Sequence, residues 1–209
     1  QKGHDRRYLK DKNVKFDMTW QVNKEHSFKF GALYTAHDID NQSSQIRNVH
    51  FGTADEFLLY EPTTLPDSTI YSDIYRVKPT EFSAYFQDKM EFEEMVLNVG
   101  LRYDYFNPQT VFPSQRRNPA NQLRFVNNPE NESTYPDAEP KIQLSPRFGL
   151  SYQLSNAALL RFSYGHFFQM PPMYALYQNH SFRVAPTNYA TTMGLSLIHI
   201  SEPTRRSYI

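Results

Sequence analysis

One stretch constrains the fold of this chain more than any other. In Val96-Leu97-Asn98-Val99-Gly100-Leu101-Arg102-Tyr103-Asp104-Tyr105, the residues Leu97, Val99, Leu101, Tyr103 and Tyr105 share one parity, and Asn98, Gly100, Arg102 and Asp104 share the other. Successive side chains of a strand point to opposite faces, so a period of two marks a strand between unlike surroundings. Asn98, Arg102 and Asp104 are poor core residues, which makes their face wet. The other face is apolar and ends in tyrosines, which suits either a protein core or a lipid bilayer whose interface collects aromatics.

The pattern recurs on both sides of that stretch. Val14, Phe16, Met18, Trp20 and Val22 alternate with Lys15, Asp17, Thr19 and Gln21. After the polar turn Asn23-Lys24-Glu25-His26, Phe28, Phe30, Ala32, Tyr34 and Ala36 alternate with Ser27, Lys29, Gly31, Leu33, Thr35 and His37. Phe82, Ala84 and Phe86 face away from Glu81, Ser83, Tyr85, Gln87 and Lys89, and a turn from Met90 to Met95 leads back along the opening stretch. A third hairpin sets Leu144, Pro146, Phe148, Leu150, Tyr152 and Leu154 against Ser145, Arg147, Gly149, Ser151 and Gln153. It turns at Ser155-Asn156 and returns with Leu160, Phe162 and Tyr164 against Arg161, Ser163 and Gly165. The expectation is an all-β, antiparallel up-and-down meander of about six strands between Val14 and Phe168.

The connections narrow the choice of surroundings. Gln1 to Lys12 reads as a charged, solvated loop. Asp38 to Lys78 and Asn107 to Ile142 lack periodicity, and the second holds Pro108, Pro113, Pro119, Pro129, Pro136 and Pro140 around an Asn-rich run, Asn127 to Asn131. Loops of roughly 35–40 residues are rare in compact soluble domains, where about 12–15 is already long. Tight turns at one end and long loops at the other are the regular plan of outer-membrane barrels, whose strands need about 9–11 residues. The fold expected is therefore a partial transmembrane β-barrel with long extracellular loops; the alternative is a secreted β-sandwich with a conventional core. In the barrel reading Glu81, Gln87, Asn98, Arg102, Asp104, Arg147, Ser151 and Arg161 face the lumen. Phe16, Trp20, Phe30, Phe86, Val99, Leu101, Tyr103, Phe148, Leu150, Phe162 and Tyr164 face lipid.

Composition excludes several classes. With 22 Lys+Arg against 22 Asp+Glu, no overall field favours nucleic acid or an anionic surface as partner. The mean hydropathy of −0.67 and the 14 prolines speak against a run of about 20 apolar residues, the length of a membrane-spanning helix. Cysteine is absent, which removes disulfide and thiolate chemistry. The chain starts at Gln1 with no signal-like segment, so it reads as an internal fragment.

Residues for chemistry are sparse, and the expectation is a protein that is not an enzyme and carries no cofactor. His4, His26, His37, His50, His166 and His180 are widely spaced, without the pairing that places two metal ligands on one face. Glu91, Glu93 and Glu94 sit in a short turn and read as solvated. No phosphate-binding glycine loop and no Gly-x-Ser-x-Gly elbow is present. Asp38, Asp40, Asp67, Asp73 and Asp137 lack the spacing of a calcium loop. The loop aromatics Phe51, Phe57, Tyr60, Tyr71, Tyr75, Phe112, Phe125 and Tyr135 read as packing the loops against each other, with a stacking platform for a ligand as the alternative.

Four runs add a resemblance. Ala84 to Lys89, Val99 to Asp104, Leu144 to Tyr152 and Phe162 to Gln169, separated in turn by a short turn, a long loop and a short turn, are similar to consecutive strands of TonB-dependent outer-membrane receptors. Gln169-Met170-Pro171-Pro172-Met173-Tyr174 resembles the loop that follows such a strand. The resemblance covers roughly Val14 to Tyr189. It implies a place in the cell outer membrane and a barrel of about 22 strands with a plugged lumen. It also implies uptake of a scarce nutrient such as a siderophore, cobalamin or a glycan. The partners implied are outer-membrane lipid, a small-molecule or glycan ligand, and the TonB energy-transducing complex, reached through a plug that this sequence does not show. Such a fragment is not competent alone, and a porin-like passive channel is the alternative. Leu195 to Arg205 departs in style and resembles a translated sequencing-library adapter, so the expected barrel domain is 1–194 and the tail 195–209 is expected to be non-native.

Overall fold

The computed structural model describes residues 2–65, 71–112, 134–155, 157–167 and 169–179. Asp67, Phe125, the Asn-rich run, Asn156, Phe168, His180 and the 195–209 tail lie outside the described residues.

The chain forms one antiparallel sheet. Its elements are β1 (Lys2–Gln21), β2 (His26–Asn48), β3 (Pro62–Thr64), β4 (Ser72–Val77), β5 (Thr80–Glu91), β6 (Met95–Asn107), β7 (Lys141–Ser155) and β8 (Ala158–Gly165), followed by a single helical turn, α1 (Met173–Leu176). The six long strands pair in the order β1-β2-β5-β6-β7-β8, and β3 and β4 pair with the outer part of β2. The result is an up-and-down half-barrel with β1 and β8 at its edges. Hairpin turns lie at one end. In the first, Asn23 Oδ1 accepts hydrogen bonds from the backbone N–H groups of Glu25 (2.8 Å) and His26 (2.7 Å), the local bonding that suits Asn to turns.

Two expected loops are strands. Gln1–Lys12 was expected to be solvated loop, but β1 begins at Lys2; and Asp38–Lys78, expected to lack regular structure, holds the last part of β2 together with β3 and β4. β1 and β2 stay in register from Gln21↔Ser27 to Lys2↔Ile46. At about 3.3 Å per residue, the 23 residues of β2 reach well beyond the 9–11 or so that cross a bilayer. Cross-strand polar pairs hold the extension: His37 Nδ1 to Asp11 Oδ1 at 2.7 Å, Arg7 Nε to Asn41 Oδ1 at 3.1 Å and Ser43 Oγ to Asp5 Oδ1 at 2.5 Å.

The register sorts the side chains into two faces. Phe16↔Ala32, Ala32↔Ala84, Ala84↔Tyr103 and Tyr103↔Leu144 make one apolar row; Trp20↔Phe28, Val99↔Phe148 and Phe148↔Tyr164 belong to another on the same face. Rings on neighbouring strands touch along it, with centroids 5.4 Å apart for Phe28–Phe86, 6.0 Å for Phe148–Phe162 and 6.2 Å for Phe16–Phe30. Nothing among the described residues covers this face: Trp20 is 54 % exposed, Leu101 50 % and Phe162 55 %. One carboxylate interrupts it. Asp88, opposite Phe28 and Val99, is buried and pairs with His26 Nδ1 at 2.9 Å.

The only buried hydrophobic cluster among the described residues lies on the opposite, polar face, at the end away from the hairpin turns. It contains Ile39, Tyr75, Val77, Phe106, Leu176 and Tyr177. A conventional sandwich core would sit under the aromatic face, so the sheet is built inside out.

Candidate functional site

The polar face is the candidate site. β5 supplies Glu81 and Gln87, β6 supplies Asn98, Arg102 and Asp104, β7 supplies Arg147 and Ser151, and β8 supplies Arg161; all eight project from the face opposite the aromatic rows. The eleven apolar residues expected to face lipid, from Phe16 to Tyr164, share the other face.

The structure divides the eight into two groups. Near the outer end, Arg102 holds Asp104 in a fork, with Nε 2.9 Å from both carboxylate oxygens and Nη2 2.8 Å from Oδ1. Residues i and i+2 of a strand share a face, which lets this intrastrand pair close. Glu81 belongs with them through His37, whose Nε2 lies 3.7 Å from Glu81 Oε1 while Nδ1 bonds Asp11. The His37 side chain is 8 % exposed, and its Nε2 has no hydrogen-bond partner among the described residues. Gln87, Asn98, Arg147, Ser151 and Arg161 lie nearer the hairpin turns. Among them Ser151 pairs with Arg161, and the guanidinium of Arg147 stands 5.4 Å from the Phe167 ring, where a cation–π contact forms.

Alternation did not single out Asp11 and His37, which the extended β1–β2 ladder brings together. Nor did it find the motif at Gly31. Tyr85 lies across Gly31 and donates from its hydroxyl to Asp17 Oδ1 at 2.8 Å, while Asp17 also pairs with Lys15 at 2.7 Å. A Cβ at Gly31 would stand 2.7 Å from Phe16 O and 2.8 Å from Tyr85 Cε1, so only glycine lets the ring cross the strand.

Above the Glu81 group the chain itself forms a roof. After Gly165 the backbone leaves the sheet, and His166 N–H donates to Pro146 O at 3.1 Å. Met170 and Met173 pack on the cluster, Leu176 and Tyr177 are buried within it, and Tyr177 Oη donates to Pro108 O at 2.7 Å. Arg7 of β1 lies 5.9 Å from the Tyr174 ring on the far side. Burial pushes the Tyr75 phenol up to about 12, with Asp73 adding to the effect, and pushes Tyr177 up further. Loop aromatics therefore take different roles. Tyr75 and Phe112 join the cluster, Tyr71 and Phe51 lie under Arg47 at 3.6 and 5.5 Å, and Phe57 and Tyr60 stand exposed.

Among the described residues, no group of three His, Asp or Glu side chains is arranged to hold a metal ion, and no helix is long and apolar enough to cross a membrane. The arrangement is a polar face with mixed charges, covered at one end by residues 169–179, on the side of the sheet opposite the aromatic rows.

The sequence model of the outer membrane beta barrel domain matches residues 3–205. No curated protein matches the chain. The inside-out sheet, its hairpin turns at one end and its extended strands at the other agree with that match. The chain belongs to the outer membrane beta barrel domain family and is an outer-membrane protein.

Proposed function

We propose that the chain is part of a TonB-dependent receptor that takes up a scarce nutrient across the outer membrane, with its polar face lining the lumen and its aromatic face in lipid. The observation that carries this reading is the roofed trough. Residues 169–179 fold back over the polar face and bury Leu176 and Tyr177 there, at the end of the sheet that carries the His37–Glu81 and Arg102–Asp104 pairs. A passive porin keeps an aqueous channel, whereas the large transporters carry a filled lumen. TonB is engaged through an N-terminal plug in this reading, and catalysis has no part in it. The tail 195–209 is non-native; reading the encoding DNA against adapter sequence tests this.

The test of the receptor reading is made in cells producing the full-length protein. A plug domain encoded ahead of the barrel, and site-directed crosslinks to TonB that disappear when the plug's N-terminal segment is removed, are expected. A gene with no plug, or solute flux that persists without TonB, fits the passive channel instead.

A further inference from the structure

We infer that the outward side of the β1–β2–β4 extension is a docking surface for the phosphate groups of outer-leaflet saccharolipid headgroups, with Lys10, Lys12 and Lys78 as the contacts. The inference rests on the aromatic face being the lipid face. Lys10 and Lys12 have the same parity on β1 as Val14, Phe16, Met18 and Trp20, so they continue the apolar stripe directly beyond its end. At about 3.4 Å per residue and a strand tilt near 45°, they stand roughly 5–10 Å above Val14, the depth of the headgroup layer.

The charge there is local and in basic excess, Lys10, Lys12, Arg76 and Lys78 standing against Asp38 and Asp40. Lys10 lies opposite Asp38 in the ladder, and Arg76 of β4 lies opposite Asp40. Arg76 donates to both oxygens of Asp38, at 2.9 and 2.6 Å, and holds that carboxyl below its ordinary range, with Lys78 and Lys10 adding to the pull. Asp38 and Asp40 are the carboxylates facing outward among these strands, and Arg76 sits against both. Lys10, Lys12 and Lys78 are exposed and close no salt bridge among the described residues, the Asp38 carboxylate being held by Arg76. Tyr8 and Arg6 continue the same face farther out, and a tyrosine beside lysines is the composition of a membrane interface. The corresponding outer ends of β6 and β7 carry Asn107 and Ile142 on this side, so the basic patch is confined to the β1 end of the sheet. Phosphate monoesters supply the complementary charge at this height; a neutral headgroup does not.

The test uses the full-length barrel in detergent, titrated with a bis-phosphorylated disaccharide lipid and with the same lipid after dephosphorylation. The phosphorylated form is expected to bind about tenfold more tightly or better, and the triple variant K10E/K12E/K78E to lose that preference. K15E/K29E, on the opposite face, keeps it. Equal binding of the two lipids, or full retention of the preference by the triple variant, overturns the inference. Competition by millimolar inorganic phosphate overturns it as well, because that marks a small-anion pocket rather than a lipid surface. A label at Leu101 read with a bilayer quencher separates the two levels: without quenching the lipid face itself is wrong, and with quenching but no phosphate preference only the docking surface is.

Discussion

Gly31 and Leu101 test the two faces at the scale of single side chains. Gly31→Ala places a methyl against Phe16 O and the Tyr85 ring, and is expected to destabilise the barrel by about 1–3 kcal/mol, read from urea unfolding in lipid vesicles. Gly100→Ala meets nothing closer than Phe86 O at 3.3 Å and is expected to cost less. Leu101→Arg is expected to cost about 2–4 kcal/mol, the depth-dependent penalty for a charge on a lipid face, whereas Gln143→Arg, opposite Asp104 on the other face, is expected to stay within about 1 kcal/mol. Parity alone placed Gly31, Gly100 and Leu101 on their faces, because a strand between two unlike media writes its orientation into every second residue. It failed at Asp88, a carboxylate on the apolar side. There Asp88 Oδ2 meets His26 Nδ1 at 2.9 Å, and His26 reads in the sequence only as the end of a turn.

Elements beyond the apolar band were harder to read. The outer part of β1 and β2 carries polar residues on both faces, such as Arg6 and Arg7 or Asp40 and Asn41, so water on both sides leaves no alternation to see. The strands exist there because backbone pairing and cross-strand side-chain bonds continue the hairpin. The roof was hidden for a different reason: a segment held by Pro171, Pro172 and one helical turn has no period. Leu176→Ala opens a cavity in that cluster and is expected to cost about 2–5 kcal/mol locally. Hydrogen exchange should then rise in residues 169–179 while the strands stay protected. Raising the pH acts on the same element. Tyr75 and Tyr177 ionise above the usual range, so a folded roof binds protons that a released one has lost. Its packing is expected to be intact below about pH 10 and to loosen as pH rises toward about 12, seen as tyrosinate absorbance appearing together with faster exchange at 169–179.

The order of the hairpins was legible at the scale of the whole molecule, because the long strands pair in chain order: β1–β2, β5–β6 and β7–β8 join through tight turns, and β2–β5 and β6–β7 pair across the long connections. The identity of a transported ligand was not, since a trough of mixed charges suits many polar solutes. With β1 and β8 unpaired at their outer edges and an aromatic face uncovered, the isolated chain is expected to aggregate in water and to require detergent. A soluble monomer that melts cooperatively would contradict this. The most direct measurement of the central claim, that the sheet is inside out in a bilayer, is depth quenching of spectroscopic labels in the reconstituted full-length protein. Labels at Leu101, Phe148 and Phe162 are expected to be quenched by a bilayer-phase quencher, and labels at Arg102, Arg147 and Arg161 to be spared. Equal quenching of both sets, or of neither, contradicts the account.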